Sequence, residues 1–220
     1  MKMQRTDYIE AINMLKEEVL KMGELSKGAV YGGVRSLIDK DFDLASKIVR
    51  EDNNRIDILE LEIEEKCMAL IALQQPVAKD LRIIGTCMKI ITDLDRLSNL
   101  GVNIAKITIK IGDKPFIKPL IDIPRMGKLA AEMLDDAMEA FINEDVELAR
   151  GLSKKEEEAD ALYDQVRREL ITFMIEDPHT ITIASDLSFI ARYLKRIADH
   201  ACNIAARVIY MVTGEREKVG

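Results

Sequence analysis

Residues 22–45, MGELSKGAVYGGVRSLIDKDFDLA, align without a gap on residues 126–149, MGKLAAEMLDDAMEAFINEDVELA, at an offset of 104. Seven positions are identical, among them Met22-Gly23 with Met126-Gly127 and Leu44-Ala45 with Leu148-Ala149. The offset then shrinks: Asp57 matches Asp160, Pro76 matches Pro178, and DLDRLSNLGVNIA (93–105) matches YLKRIADHACNIA (193–205) at an offset of 100. Changes in loop length produce drift of this size, so the chain is one unit written twice.

Each half reads as three helices. The first half runs from about Thr6 to Asp39, Asp41 to Gln74 and Pro76 to Ile111, with Thr6 as an N-cap and Pro76 in a first turn. The second runs from about Ile123 to Asn143, Asp145 to Glu176 and Pro178 to Thr213. Between them IGDKPFIKPLIDIP (111–124) holds three of the five prolines and reads as a linker. On the third helix Val77, Leu81, Ile84, Met88, Ile91, Asp95 and Ile109 lie on one heptad seam. A second line, Ile83, Cys87, Ile90, Leu94, Leu97, Gly101 and Ile104, runs beside it. A face that wide must be covered by two other helices. The expected fold is all-α, with six long helices in two tandem, pseudo-repeated three-helix bundles, each with its own core. The bundles span 1–112 and 125–220, joined by a linker at 113–124.

Composition agrees. The 220 residues are 48% hydrophobic and 5% aromatic, with no Trp, which excludes disorder and disfavours a β fold. The balance of 32 Lys and Arg against 39 Asp and Glu gives a net charge of −7, contrary to the basic character of most nucleic-acid binders. No nucleic-acid partner is expected. The opening MKMQRTDYIEAINMLKEE lacks an apolar leader core, and no later stretch is apolar for the roughly 18 residues of a membrane span. A cytoplasmic protein without direct membrane insertion is the expectation. Cys67, Cys87 and Cys202 are odd in number and lack C-x-x-C spacing, so they read as buried core thiols. Gly28, Gly32 and Gly33, inside the first helix, read as close-packing positions.

The functional signal lies where the seams turn polar. Asn53 and Asp57 on the second helix face Asp95 and Asn99 on the third; Glu156 and Asp160 on the fifth face Lys195 and Asp199 on the sixth. Residues four apart share a helix face, so each bundle offers two polar pairs from facing helices. Convergent oxygens suit a hard cation such as Mg²⁺, Mn²⁺ or iron. Helical carboxylates also pair ordinarily with Lys and Arg, and both readings stand at this point. Glu176 and His179 spell the E-x-x-H of di-iron bundles, but Pro178 breaks the register that motif needs; His200 reads as structural.

The segments LQQPVAKDLRIIGTCMKIITDLDRLSNLGVNIAK (73–106) and EDPHTITIASDLSFIARYLKRIADHACNIAARVIY (176–210) resemble the two halves of the PhoU family. The resemblance covers about residues 8–214. It implies a cytoplasmic homodimer without catalytic activity that restrains phosphate uptake and represses the phosphate-starvation response. Its partners would be the ATPase subunit of the phosphate ABC transporter and a phosphate-sensing histidine kinase. The resemblance further implies metal clusters held by Glu/Asp-x-x-x-Asp pairs. Glu156 and Asp160 match such a pair intact; Asp57, Asp95 and Asp199 each match one member; Asn53, Asn99 and Lys195 depart from it. No cofactor is required on this reading, and Fe, Mg, Mn or Zn would sit only at degenerate carboxylate sites. Lys195, an ammonium at a ligand position, is expected to neutralise the second set itself. A carboxylate-rich metal-binding protein or metalloenzyme, and a structural adaptor for another transporter, are the competing readings. Arg82, Arg96, Arg192 and Arg196 read either as contacts to phosphate or an acidic partner, or as ordinary helix ion pairs.

Overall fold

The computed structural model describes residues 5–220, except the side chains of residues 5 and 51–53. Its helices are α1 (Arg5–Asp39), α2 (Phe42–Lys47), α3 (Asn53–Gln74), α4 (Ala78–Ile111), α5 (Asp122–Asn143), α6 (Val146–Glu176) and α7 (Ile181–Thr213). A π-helical turn, Ile48–Asp52, joins α2 to α3, and a 3₁₀ turn, Pro178–Thr180, precedes α7. The expected second helix is thus interrupted by one wide turn. Thr6 lies inside α1 rather than capping it.

The repeat is visible in the corners. Asp41 caps α2 by accepting from the Leu44 amide at 2.9 Å, and Asp145 caps α6 by accepting from the amides of Glu147 and Leu148 at 3.0 Å. Both satisfy donors that a helix start leaves unpaired. Lys40 and Glu144, one residue before each cap, both take left-handed backbone, with φ of 51° and 54°. The first corner also binds the linker and the second binds the opposite half. Lys40 donates to the carbonyls of Asp113 and Lys114, while Glu144 pairs with Lys16 at 2.8 Å and Lys79 at 2.7 Å. Hydrogen bonds from those two lysines hold the Glu144 carboxyl below its usual range. Pro76 stands outside α4, which starts two residues later with Ala78 in left-handed backbone.

Helix contacts define the layout. α1 packs on α4, α4 on α7, α7 on α5 and α5 on α1, which closes a central layer of four helices. α3 covers the α1/α4 side and α6 the α5/α7 side. The expectation of two separate cores is corrected here. One contiguous apolar cluster includes Met22, Leu94 and Leu97 from the first half and Met133, Phe141 and Leu194 from the second. In the first half the outer helix α3, of 22 residues, is too short to cover α1 and α4, of 35 and 34 residues, so their wide apolar faces are covered by the second half. On α4 the second apolar line is buried throughout, from Ile83 to Ile104; of the other seam Ile84 and Ile91 are buried too, whereas Leu81 and Ile109, and Val77 just before the helix, are exposed.

Small residues set the approach distances. A Cβ on Gly33 would lie 2.5 Å from the carbonyl oxygen of Gly101, and one on Gly101 would lie 2.7 Å from the backbone of Ala29 and Val30. α1 and α4 therefore touch backbone to backbone. The repeated Met-Gly pair serves the α1/α5 crossing reciprocally: Gly23 faces the Met138 side chain and Gly127 faces Val34. Gly28, by contrast, has open space where a Cβ would go, so close packing does not explain it.

Candidate functional site

α6 and α7 bring the second polar set together. Lys195 places its Nζ 2.7 Å from Asp199, 3.0 Å from Asp160 and 3.6 Å from Glu156. The carboxylate oxygens of those three acids lie within 4.8 Å of one another, close enough to share one cation. The ammonium already occupies that role. Burial works to lower its pKa, but hydrogen bonds to Asp199 and Asp160 outweigh it and hold the group above the usual lysine range. A divalent ion would meet this charge at close range, so the second set as it stands does not fit a metal. Nearby, burial and then the charges of Glu156 and Asp199 push the Cys202 thiol up to about 12, so it stays a neutral core thiol. Cys67 and Cys87 are likewise buried and pushed up to about 12.

Residues 214–220 fold back beside this set. Glu217 takes two hydrogen bonds from Arg150 on α6, at 2.7 and 3.0 Å, and the Gly220 backbone lies against the Glu156 side chain. The sequence carried no periodic signal for this return.

The first polar set differs in kind. The Asn53 side chain lies outside the described residues. Asn99 donates its amide to the carboxylate of Asp95 at 3.0 Å and to the Asp95 carbonyl at 3.2 Å, so it solvates Asp95 instead of offering it a shared ligand oxygen. Burial, the charge of Asp57 and a hydrogen bond with Asp57 raise the Asp95 carboxyl, against the opposing pull of Asn99 and Arg96. Glu60, one turn beyond Asp57 on α3, joins the group, and its carboxyl is raised by burial and by Asp95, Glu64 and Asp57. Sequence reading did not single out Glu60; its spacing of three from Asp57 was the available signal. Among the described residues, neither Asp95 nor Glu60 forms an ion pair with a lysine, as the acids around Lys195 do in the other half. A raised carboxyl costs stability while ionised, and that cost vanishes as pH falls through its folded pKa. Asp95→Asn is therefore expected to raise the melting temperature at pH 7, with the gain fading toward pH ~4. A variant that melts lower at pH 7, or whose gain grows on acidification, would contradict this assignment.

His200 is structural. His200 on α7 sits 2.9 Å from Asp93 on α4, both side chains buried, which ties the two halves at their contact. Lys110 of α4 reaches the buried Asp186 of α7 at 2.6 Å, and Arg82 donates to the Met211 carbonyl. Arg82 thus closes the end of α7. Arg96, Arg192 and Arg196 are exposed and form no ion pair with a described carboxylate.

Comparison with known proteins follows the same duplication. The family model described as the PhoU domain matches twice, at residues 19–108 and 123–208. A phosphate-specific transport system accessory protein PhoU homolog from Aquifex aeolicus is 40% identical over 200 residues, 91% of this chain and 90% of that protein. The one from Rhizobium meliloti is 36% identical, over 94% of this chain and 87% of its own. Among solved structures, PhoU from Pseudomonas aeruginosa superposes with a TM-score of 0.89 at 33% identity, covering 96% of this chain and all of that one. The phosphate transport system regulatory protein PhoU from Streptococcus pneumoniae gives the same TM-score at 27% identity, over 96% of this chain and 99% of its own. With both halves matched and the helical architecture shared, this chain belongs to the PhoU family.

Proposed function

We propose that this protein is an accessory regulator of a phosphate uptake system. It restrains uptake and represses the phosphate-starvation response when phosphate is plentiful. It acts from the cytoplasmic side as a homodimer, through contacts with the transporter's ATPase subunit and a phosphate-sensing histidine kinase, without catalysing a reaction. The observation that carries the reading is the likeness, over nine-tenths of the chain, to relatives named as phosphate-specific transport system accessory proteins. No helix among the described residues is long and apolar enough to cross a membrane, which accords with an accessory rather than a channel-forming role. Deleting the gene is expected to leave a phosphate-starvation reporter on, and phosphate uptake high, in phosphate-replete medium. Unchanged reporter and uptake would overturn the reading.

Within that role, we propose that the second polar set has exchanged a metal for Lys195. The support is the position of its ammonium within hydrogen-bonding reach of two carboxylates and near a third. Lys195→Glu would turn three acids and a cation into four acids, and is expected to tighten Mn²⁺ binding about tenfold or more in calorimetric titration. Tight binding of two or more ions per chain by the unaltered protein, or identical titrations for the two, would defeat it. The metalloenzyme alternative gains nothing from a set whose centre is already cationic.

A further inference from the structure

On a chain of net charge −7, one surface runs the other way. Contacts of Asp93 with His200, Lys110 with Asp186 and Arg82 with Met211 show α4 and α7 to be antiparallel neighbours. Asp93 and His200 sit at the edge of the buried sector, so residues three and four away on each helix line the outer lip of the α4/α7 contact. On α4 these are Lys89 and Arg96; on α7 they are Arg196 and Asn203, continued by Arg192 and Arg207. Lys89, Arg96, Arg192 and Arg196 are exposed, and none of them closes an ion pair among the described residues. The acids on this lip, Asp93 and Asp186, are buried and already engaged.

Two acidic clusters bound the strip. Asp57, Glu60 and Asp95 lie on its α3 side, and Glu156, Asp160 and Asp199 on its α6 side. A flat anionic membrane resting here would press on both, and a nucleic-acid duplex would bring phosphates to both. A narrow acidic ligand laid between the two helices would meet only the cations, since opposite charges steer and orient a partner while flanking like charges exclude wrong ones. Phe189, half exposed at one end of the strip, supplies an apolar anchor.

We infer that the α4/α7 lip docks an acidic, extended or helical segment of a partner protein, with its carboxylates against Arg96, Arg192, Arg196 and Lys89. This deepens the regulatory reading and rests on it for the partner's identity, whereas the charge recognition itself is measurable with purified protein. The probe is a fluorescein-labelled 16-residue peptide carrying Glu at every third and fourth position around a central Leu, followed by anisotropy. The full-length chain is expected to bind it, with affinity falling as salt rises from 50 to 300 mM. The pair Arg96→Glu and Arg196→Glu is expected to weaken binding about tenfold or more. Lys21→Glu with Lys128→Glu, an equal charge change on exposed residues of α1 and α5, is expected to leave it unchanged. Absence of binding, equal weakening by the two pairs, or tighter binding to phosphatidylglycerol vesicles or a single-stranded oligonucleotide would overturn the proposal. Those results leave the deletion experiment untouched, so each reading fails on its own terms.

Discussion

Gly101→Val is expected to destabilise the protein by at least about 3 kcal/mol, lowering its melting temperature by about 6–12 °C for a chain of this size. The cause is specific. A Cβ at this position would meet the backbone of Ala29 and Val30 at 2.7 Å, and backbone, unlike the end of a flexible side chain, cannot swing aside. α1 would have to move away from α4 along its length, loosening the apolar contacts between them. Helix propensity acts in the opposite direction at Gly28, where a Cβ meets nothing within 4 Å. There Gly28→Ala is expected to stabilise by about 0.5–1 kcal/mol. Two glycines of the same layer thus give effects of opposite sign in thermal unfolding; a Gly101→Val protein melting within ~2 °C of the unaltered one would disprove the close approach.

Lys195→Met is the second large effect. It leaves Glu156, Asp160 and Asp199 within 4.8 Å of one another with no cation between them. Removing one partner of a fully buried ion pair costs about 3–5 kcal/mol, and an exposed pair contributes at most ~1. Lys195 is 26% exposed and Asp160 is 50%, so an intermediate loss of about 2 kcal/mol at pH 7 is expected. A packing defect would not respond to ions. This loss should shrink when millimolar Mg²⁺ or Mn²⁺ is added, because either ion replaces the missing charge. Raised in the folded state, the Lys195 pKa makes its contribution complete below the ordinary lysine value of 10.5 and lost as pH rises through the folded value. The difference between the two proteins is therefore constant from neutral pH to about 10 and begins to close only above it. A deficit that ignores both divalent ions and alkaline pH would show that Lys195 acts through its methylenes.

Much of this was legible in local pattern. The i, i+4 spacing of Glu156 with Asp160 and of Lys195 with Asp199 placed the four side chains on facing surfaces, and the helix bounds followed from Asp41, Asp145 and the proline-rich linker. Less legible were features that depend on which helix lies opposite. The part Glu60 plays is set by Asp95 on another helix, and the turn of the Asn99 amide toward Asp95 depends on a rotamer. The merging of two cores into one follows from how the halves meet, which no heptad records. The π-helical turn at Ile48–Asp52 also escaped notice, since a single added residue in a helix barely disturbs its periodicity.

The buried Asp93–His200 contact has a further consequence. Under the offset of 100 that relates α4 to α7, the counterpart of His200 is Leu100. If the first half were to associate with another copy of itself in the manner of the intact chain, Asp93 would face that leucine and be desolvated without a proton donor. Burial of an unpaired carboxylate costs several kcal/mol, so the arrangement penalises first-half self-association and favours the mixed pair. Where duplication alone would leave two interchangeable surfaces, one aspartate and one histidine give the contact a direction.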